Sequence, residues 1–266
     1  MNLSTVAVKK TAKTALKGNY SGSVVACTLY IFAFIVCEIC YEMVYSVLGA
    51  VFSFAFLLLI TMFLIIPLTL GLIYFTVRFI FGAEAEPILI FKYFSCRKDF
   101  KRALIFAFSV LGNALFYGFL LLIPSFTVDI IADGRIFKLF GAQIPLWTSG
   151  LSGISAFLKI LAFISLIAVM MKFYLAPFLF VANEDMAPIQ TLHISKVISS
   201  VTKKDFIWLM LSFSGYILAC LFVIPNIFIF PYFSASYCVH CRFCLAYYNN
   251  AVDKINKEIP SFEVTL

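Results

Sequence analysis

The chain has 266 residues, of which 63% are hydrophobic and only 12% are charged, and its formal net charge is +7. A soluble domain of this size does not need so much apolar surface, so a separate soluble catalytic domain is not expected. The aromatic residues lie inside apolar runs rather than between basic residues, which argues against nucleic-acid binding. The composition predicts an all-α polytopic membrane protein.

The N-terminal segment, 1–22, is predicted to form an amphipathic helix that lies at the membrane interface. Its apolar residues, Val6 and Leu16 among them, would face lipid while its lysines face water. The lysines are Lys9, Lys10, Lys13 and Lys17. The apolar run that follows has no small-residue cleavage site, so we expect it to remain as a signal-anchor span.

Six apolar stretches follow, and a bilayer crossing needs roughly 20 such residues. They run over about 23–45, 51–81, 103–123, 152–182, 206–223 and 227–248. Together they form a predicted membrane domain, 23–250, followed by a short tail, 251–266. The second stretch is too long for one straight crossing, so Pro67 and Gly71 are predicted to kink it, and Pro177 is a third candidate kink.

Three connecting segments carry predictions of their own. Residues 87–94 are too short to cross a membrane and are predicted to form an interfacial helix. Residues 129–150 mix acidic and basic residues and are predicted to be a loop. Pro225 and Asn226 are predicted to make a tight turn between the last two spans.

The basic residues predict the orientation of the spans. If the chain crosses the membrane six times, seventeen Lys and Arg residues lie on one side and only two, Arg135 and Lys138, lie on the other. Because basic residues concentrate on the cytoplasmic side, both termini are predicted to be cytoplasmic. The basic rim is expected to contact anionic lipid head groups on that side.

Several phrases, in order, carry a family resemblance. They include residues 12–20 (Ala-Lys-Thr-Ala-Leu-Lys-Gly-Asn-Tyr), 67–72 (Pro-Leu-Thr-Leu-Gly-Leu), 172–178 (Lys-Phe-Tyr-Leu-Ala-Pro-Phe) and 211–216 (Leu-Ser-Phe-Ser-Gly-Tyr). The chain resembles the bacterial integral-membrane family known as domain of unknown function 975. That family is distantly similar to the membrane domain of some glycerophosphodiester phosphodiesterases. The resemblance implies a six-helix bundle in the bacterial cytoplasmic membrane and supplies no catalytic residues.

Charged residues inside the spans are the first candidates for a functional site. A charge at the centre of a membrane helix costs about 2.5–3.5 kcal/mol on insertion scales, so such residues are kept for a reason. The candidates are Glu38, Glu42, Lys159 and Lys172. They could line a solute path, or Lys159 could pair with Glu38 or Glu42. The structural interpretation, as ion pairs or interfacial anchors, is favoured because charges near the interface cost less.

The run Cys238-Val239-His240-Cys241-Arg242-Phe243-Cys244 is the other candidate site. On a helix, His240, Cys241 and Cys244 share one face, as metal ligands would. A fourth ligand is not evident, so the favoured interpretation is that the cysteines are small apolar packing residues and that no metal or cofactor is bound.

The sequence lacks a phosphate-binding glycine loop and the common hydrolase motifs, so we do not expect an enzyme. The leading hypothesis is a non-enzymatic membrane scaffold or accessory subunit that contacts lipid and a membrane-protein partner. The alternative is a small-solute transporter or permease that uses the four intramembrane charges.

Overall fold

A computed structural model describes residues 5–17, 20–81, 85–132, 151–219 and 223–258. All regular secondary structure in these ranges is helical, which confirms the predicted fold class at that level. The chain divides into two compact units. Unit 1 comprises residues 1–108 and 174–266, and unit 2 comprises residues 109–173.

Eleven α-helices are formed by the described residues. They are α1 (Thr5–Leu16), α2 (Tyr20–Leu48), α3 (Ala50–Ile60), α4 (Ile66–Ile80), α5 (Lys92–Ser95), α6 (Arg97–Ala132), α7 (Leu151–Met170), α8 (Ala176–Ala182), α9 (Pro188–Leu211), α10 (Ser214–Ala219) and α11 (Val223–Glu258). A π-helical turn, Thr61–Ile65, joins α3 to α4, and 3₁₀ turns occupy Pro87–Phe91 and Met171–Phe173.

Four helical segments of the described chain are long and apolar enough to cross a membrane. They are Tyr20–Leu48, Ala50–Ile80, Arg97–Ala132 and Gly153–Ala182. These segments contain the first four predicted spans. The last two predicted spans are not among them: α9 ends at Leu211, six residues into the fifth, and the sixth lies within the long helix α11.

Two of the predicted connections are wrong. Helix α6 continues through Pro124 to Ala132, so residues 129–132 are helical rather than part of a loop. Two hydroxyl side chains near the proline donate to backbone carbonyls: Ser125 Oγ donates to Leu122 O, and Thr127 Oγ1 donates to Pro124 O. The remainder of the predicted loop, with Arg135 and Lys138, lies outside the described residues.

The predicted tight turn at 225–226 is also helical, because α11 begins at Val223. Pro225 therefore lies in the first turn of a helix. Proline is acceptable in that turn, since the first backbone N–H groups of a helix have no intrahelical partner to lose. The proline marks the start of α11 rather than a break between helices.

The three residues predicted to kink helices lie in different local secondary structures. Pro67 follows the π-helical turn at the start of α4, and Pro177 opens α8 after the 3₁₀ turn of Met171–Phe173. Gly71 lies inside α4, which continues through it. A Cβ atom on Gly71 would lie 1.8 Å from the carbonyl oxygen of Ile90, so the glycine allows the turn Pro87–Phe91 to pack directly on α4.

This close approach belongs to the apolar core of unit 1. Ile90 is fully buried, and the core side chains around it come from α2, α4 and the segment after α4. The other buried members of the cluster are Ala26, Cys27, Leu68, Leu72, Phe75 and Ala85. The predicted interfacial segment 87–94 is thus helical and packs against protein.

The N-terminal helix α1 also packs against protein on one face. Val8, Ala12 and Leu16 recur every four residues and are all buried, whereas Val6 is largely exposed. Helix α11 is its main contact. A stripe of apolar residues with helical spacing is present, but the expectation that Leu16 faces lipid is wrong, because this residue is buried against protein.

We predict that Gly71→Ala destabilises the protein by about 3 kcal/mol, because the new methyl group must displace the backbone at Ile90. Thermal unfolding in detergent would measure this. Gly112→Ala is the matched control: its Cβ would meet nothing within 4 Å. We expect that variant to gain about 0.5–1 kcal/mol from better helix propensity. Equal effects of the two substitutions would contradict the close-packing role of Gly71.

Candidate functional site

The four predicted intramembrane charges are divided between the two units. Glu38 and Glu42 belong to unit 1 and are exposed along α2, while Lys159 and Lys172 belong to unit 2 and are exposed as well. For Lys159 the structure provides an ion-pair partner that the sequence interpretation did not consider. Its Nζ atom lies 2.8 Å from Oδ2 of Asp129.

Asp129 is held by two residues of α7 within unit 2. Ser155 Oγ donates a hydrogen bond to Oδ1 of Asp129, and Lys159 pairs with the other carboxylate oxygen. Ser155 and Lys159 are four residues apart, so they project from the same face of α7. Sequence reasoning missed this cluster because it assigned Asp129 to a loop, although the spacing of Ser155 and Lys159 was visible. The ion pair links α6 to α7, and the predicted pairing of Lys159 with Glu38 or Glu42 is not the one found.

The His and Cys candidates do not form a common metal site. His240 Nε2 lies 3.4 Å from Cys244 Sγ and 3.4 Å from the hydroxyl of Tyr174, which is 2.7 Å from Thr202 Oγ1. Cys241 is not part of this set of contacts and interacts with Tyr237. In the described ranges, His, Cys, Asp and Glu form no group of three that could hold a metal ion.

The contacts of Tyr174 instead join three segments of unit 1. Its ring stacks on Phe206 of α9 with centroids 4.2 Å apart, and its carbonyl accepts a 2.6 Å hydrogen bond from Tyr237 of α11. His240, Cys244 and Thr202 are buried. Buried polar groups need partners, and here they find them in one another. The arrangement is therefore a polar connection between the segment before α8, α9 and α11.

One basic residue near the start of α6, Arg102, is also structural. The guanidinium of Arg102 donates from Nη2 to three carbonyl oxygens: Phe180 at 3.2 Å, Asn183 at 2.6 Å and Met186 at 3.1 Å. These carbonyls lie at and just beyond the end of α8, where a helix leaves acceptors unsatisfied. A cation at a helix C-terminus is also favoured by the helix dipole.

Lys92 contacts the same segment, the residues that follow α8. We call this segment the elbow after α8. Its amine pairs with the carboxylate of Glu184 and lies 3.9 Å from the centroid of the Tyr74 ring. The hydrogen bond and the positive charge of Lys92 lower the pKa of Glu184. Lys92 and Arg102 are thus engaged with protein groups.

Many other basic residues of unit 1 are exposed. They lie on α1 and the residue after it, at the start of α6, and along α9: Lys10, Lys13, Lys17, Arg97, Lys98, Lys101, Lys203 and Lys204. We call this set the exposed basic surface. It can contact an anionic surface without first breaking the ion pair or carbonyl contacts described above.

One cavity adjoins this surface inside unit 1. It has a volume of about 480 Å³ and lies between α1, α2, α10 and α11. Its lining consists of two lysines, three tyrosines and three apolar side chains: Lys13, Lys17, Tyr20, Tyr216, Tyr232, Leu16, Phe228 and Ile229. The sequence analysis recognised the lysines but had no means of joining them to residues about 200 positions away. The cavity is a candidate ligand site.

No protein-family model, no curated protein and no solved structure matches the chain. The resemblance drawn from the sequence phrases therefore stays a prediction.

We predict that Arg102→Ala destabilises the fold by about 3 kcal/mol, because it leaves three carbonyls without their charged donor. Unfolding by heat or denaturant in detergent is the measurement. The neighbouring exposed residue provides the control, and Lys101→Ala should change stability by no more than about 0.5 kcal/mol. A loss for Arg102→Ala no larger than that of the control would rule out the capping role.

We also predict a small acid-sensitive contribution from Glu184. Its lowered folded-state pKa means that the contribution is present above the ordinary glutamate value of about 4.3 and is lost as the pH falls through the folded-state value. The Glu184 side chain is 63% exposed, so the contribution should be about 0.2–1 kcal/mol. Melting temperatures from pH 7 down to pH 3 should show a shallower acid loss for Glu184→Gln and for Lys92→Gln. If both variants follow the wild-type curve, the ion pair does not contribute.

Proposed function

We propose that the chain is a six-span protein of the bacterial cytoplasmic membrane that acts as a non-enzymatic scaffold or accessory subunit in contact with lipid. The observation that carries this proposal is the exposed basic surface of unit 1, which occurs in the same unit as two of the four membrane-length apolar segments. Basic residues next to apolar helices are the usual means of contacting anionic head groups.

The apolar exteriors of the long helices support the lipid environment. Large side chains such as Phe32, Phe52, Phe116 and Phe157 are mostly exposed on α2, α3, α6 and α7. Exposed apolar surface on this scale would be unfavourable in water, and acyl chains are a suitable solvent for it. Lipid contact therefore explains both the apolar and the basic parts of the exterior.

The proposed topology keeps the six spans and the cytoplasmic termini. The fifth crossing would begin in α9 and continue in α10, and the sixth would be made by α11, whose 36 residues exceed the roughly 20 that a crossing needs. This arrangement preserves the strong asymmetry of basic residues between the two sides. The resemblance to domain of unknown function 975 is part of the same proposal.

The scaffold is favoured over the small-solute transporter by the position of the cavity. A transporter built on Glu38, Glu42, Lys159 and Lys172 would place these charges around a common solute path. The cavity in unit 1 is lined by other residues, and Lys159 is engaged by Asp129.

The test is affinity purification of the full chain from native membranes in mild detergent, followed by mass spectrometry of proteins and lipids. We expect a membrane protein at constant stoichiometry and more retained phosphatidylglycerol than phosphatidylcholine, because only the former carries net negative charge. Equal retention of the two lipids would overturn the lipid contact. Uptake of a small solute by vesicles that contain only this chain would overturn the scaffold role in favour of transport.

A further inference from the structure

We infer that the cavity of unit 1 is a binding site for one anionic phospholipid, with the phosphate beside Lys13 and Lys17 and the start of an acyl chain against the apolar wall. This inference rests on the proposed function, since it needs a lipid leaflet beside α1. It goes further by naming one site and one class of ligand. The combination of charge, shape and rigidity in the cavity supports it.

The two charged residues that line the cavity are both basic. Lys13 and Lys17 are four residues apart, so both amines project from the same side of the N-terminal helical segment. Both residues are exposed, and none of the eight lining residues is acidic. The ion pairs found among the described residues involve other lysines, Lys92 and Lys159. The two amines are therefore suited to a phosphate, which a phospholipid head group supplies.

The rest of the lining is suited to a molecule with an apolar part. The apolar wall of the cavity consists of Leu16, Phe228 and Ile229. Three tyrosines complete the lining, and tyrosine is favoured where one end of a site is apolar and the other is wet. A free phosphate ion would leave this wall without a partner. A volume of about 480 Å³ accommodates a head group and the first part of a chain, within the usual range for small-molecule pockets.

The walls of the cavity are fixed by contacts between distant segments. Tyr20 Oη donates a 2.6 Å hydrogen bond to the carbonyl of Phe228, which ties the start of α2 to α11. Lys9 Nζ donates at 2.7 Å to Ser212 O and lies 4.2 Å from the centre of the Phe213 ring, which ties α1 to the turn before α10. A site held open in this way requires less ordering when a ligand binds.

Lys9 also shows why only two of the N-terminal lysines belong to the site. Its amine is engaged with Ser212 and with the aromatic rings of Phe213 and Tyr216. Lys10 is exposed and does not line the cavity. The four N-terminal lysines therefore have different roles. Lys9 contacts other segments of the protein, Lys10 is exposed outside the cavity, and Lys13 and Lys17 line it.

The experiment uses the full chain in nanodiscs of phosphatidylcholine that contain a small fraction of phosphatidylglycerol, with native mass spectrometry as the readout of retained lipid. We expect the wild type to retain one phosphatidylglycerol molecule that survives dilution. Lys13→Gln/Lys17→Gln should bind it about 25-fold more weakly, because each lysine near an anionic head group contributes a factor of about five. Lys13→Arg/Lys17→Arg keeps both charges and should retain the lipid.

Two further variants separate this site from general surface attraction. Lys98→Gln/Lys101→Gln removes two exposed lysines outside the cavity and should leave the single tightly retained lipid in place. Ile229→Trp narrows the apolar wall without changing charge and should weaken retention if an acyl chain enters. Melting temperatures of all variants in detergent provide the control for folding.

The possible outcomes distinguish a specific site in the cavity from general contact with anionic lipid. If the two glutamine pairs reduce retention equally, the cavity site is overturned while general contact with anionic lipid stands. If the wild type retains phosphatidylglycerol and phosphatidylcholine equally, both fall. Displacement of the retained lipid by inorganic phosphate alone, with no effect of Ile229→Trp, would show a site for the phosphate group only and would overturn the phospholipid assignment.

Discussion

Where water is absent, every backbone and side-chain polar group must find its partner within the protein, and much of this structure follows from that constraint. Near Pro124 of helix α6, the hydroxyls of Ser125 and Thr127 donate to backbone carbonyls. The carbonyls at the end of α8 are satisfied by Arg102. The carbonyl of Tyr174, in the break before α8, accepts a hydrogen bond from Tyr237. Arg102 and Tyr237 thus act as donors to the carbonyls at two breaks in the helices.

The same requirement divides the basic residues into two groups. Lys9, Lys92 and Arg102 are directed at carbonyls, carboxylates and aromatic rings, and they hold α1, the elbow after α8 and the turn before α10 in place. Exposed lysines outside these contacts, such as Lys13 and Lys17, can meet a charged surface. A count of basic residues therefore overstates how many are available to a ligand.

Local patterns predicted the helical class and the first four membrane-length segments, because apolar length and composition are properties of contiguous residues. They also located the apolar stripe of α1 and the lysines Lys13 and Lys17. Local sequence patterns predicted the structure around proline residues less well. Pro225 was predicted to form a turn, whereas Pro124 and Pro225 both lie within helices, and at Pro225 the first helical turn removes the usual penalty.

Contacts between distant residues could be decided only by the tertiary structure. Gly71 was a candidate kink in sequence, and only its distance to the Ile90 carbonyl shows that it permits close packing. Asp129 pairs with Lys159 across thirty positions, and the cavity joins Lys13 to Tyr232 across more than two hundred. The sequence by itself determined the kind of helix and the environment it suits, since these depend on local composition. Only folding decided which side chains meet, because that depends on how the helices pack.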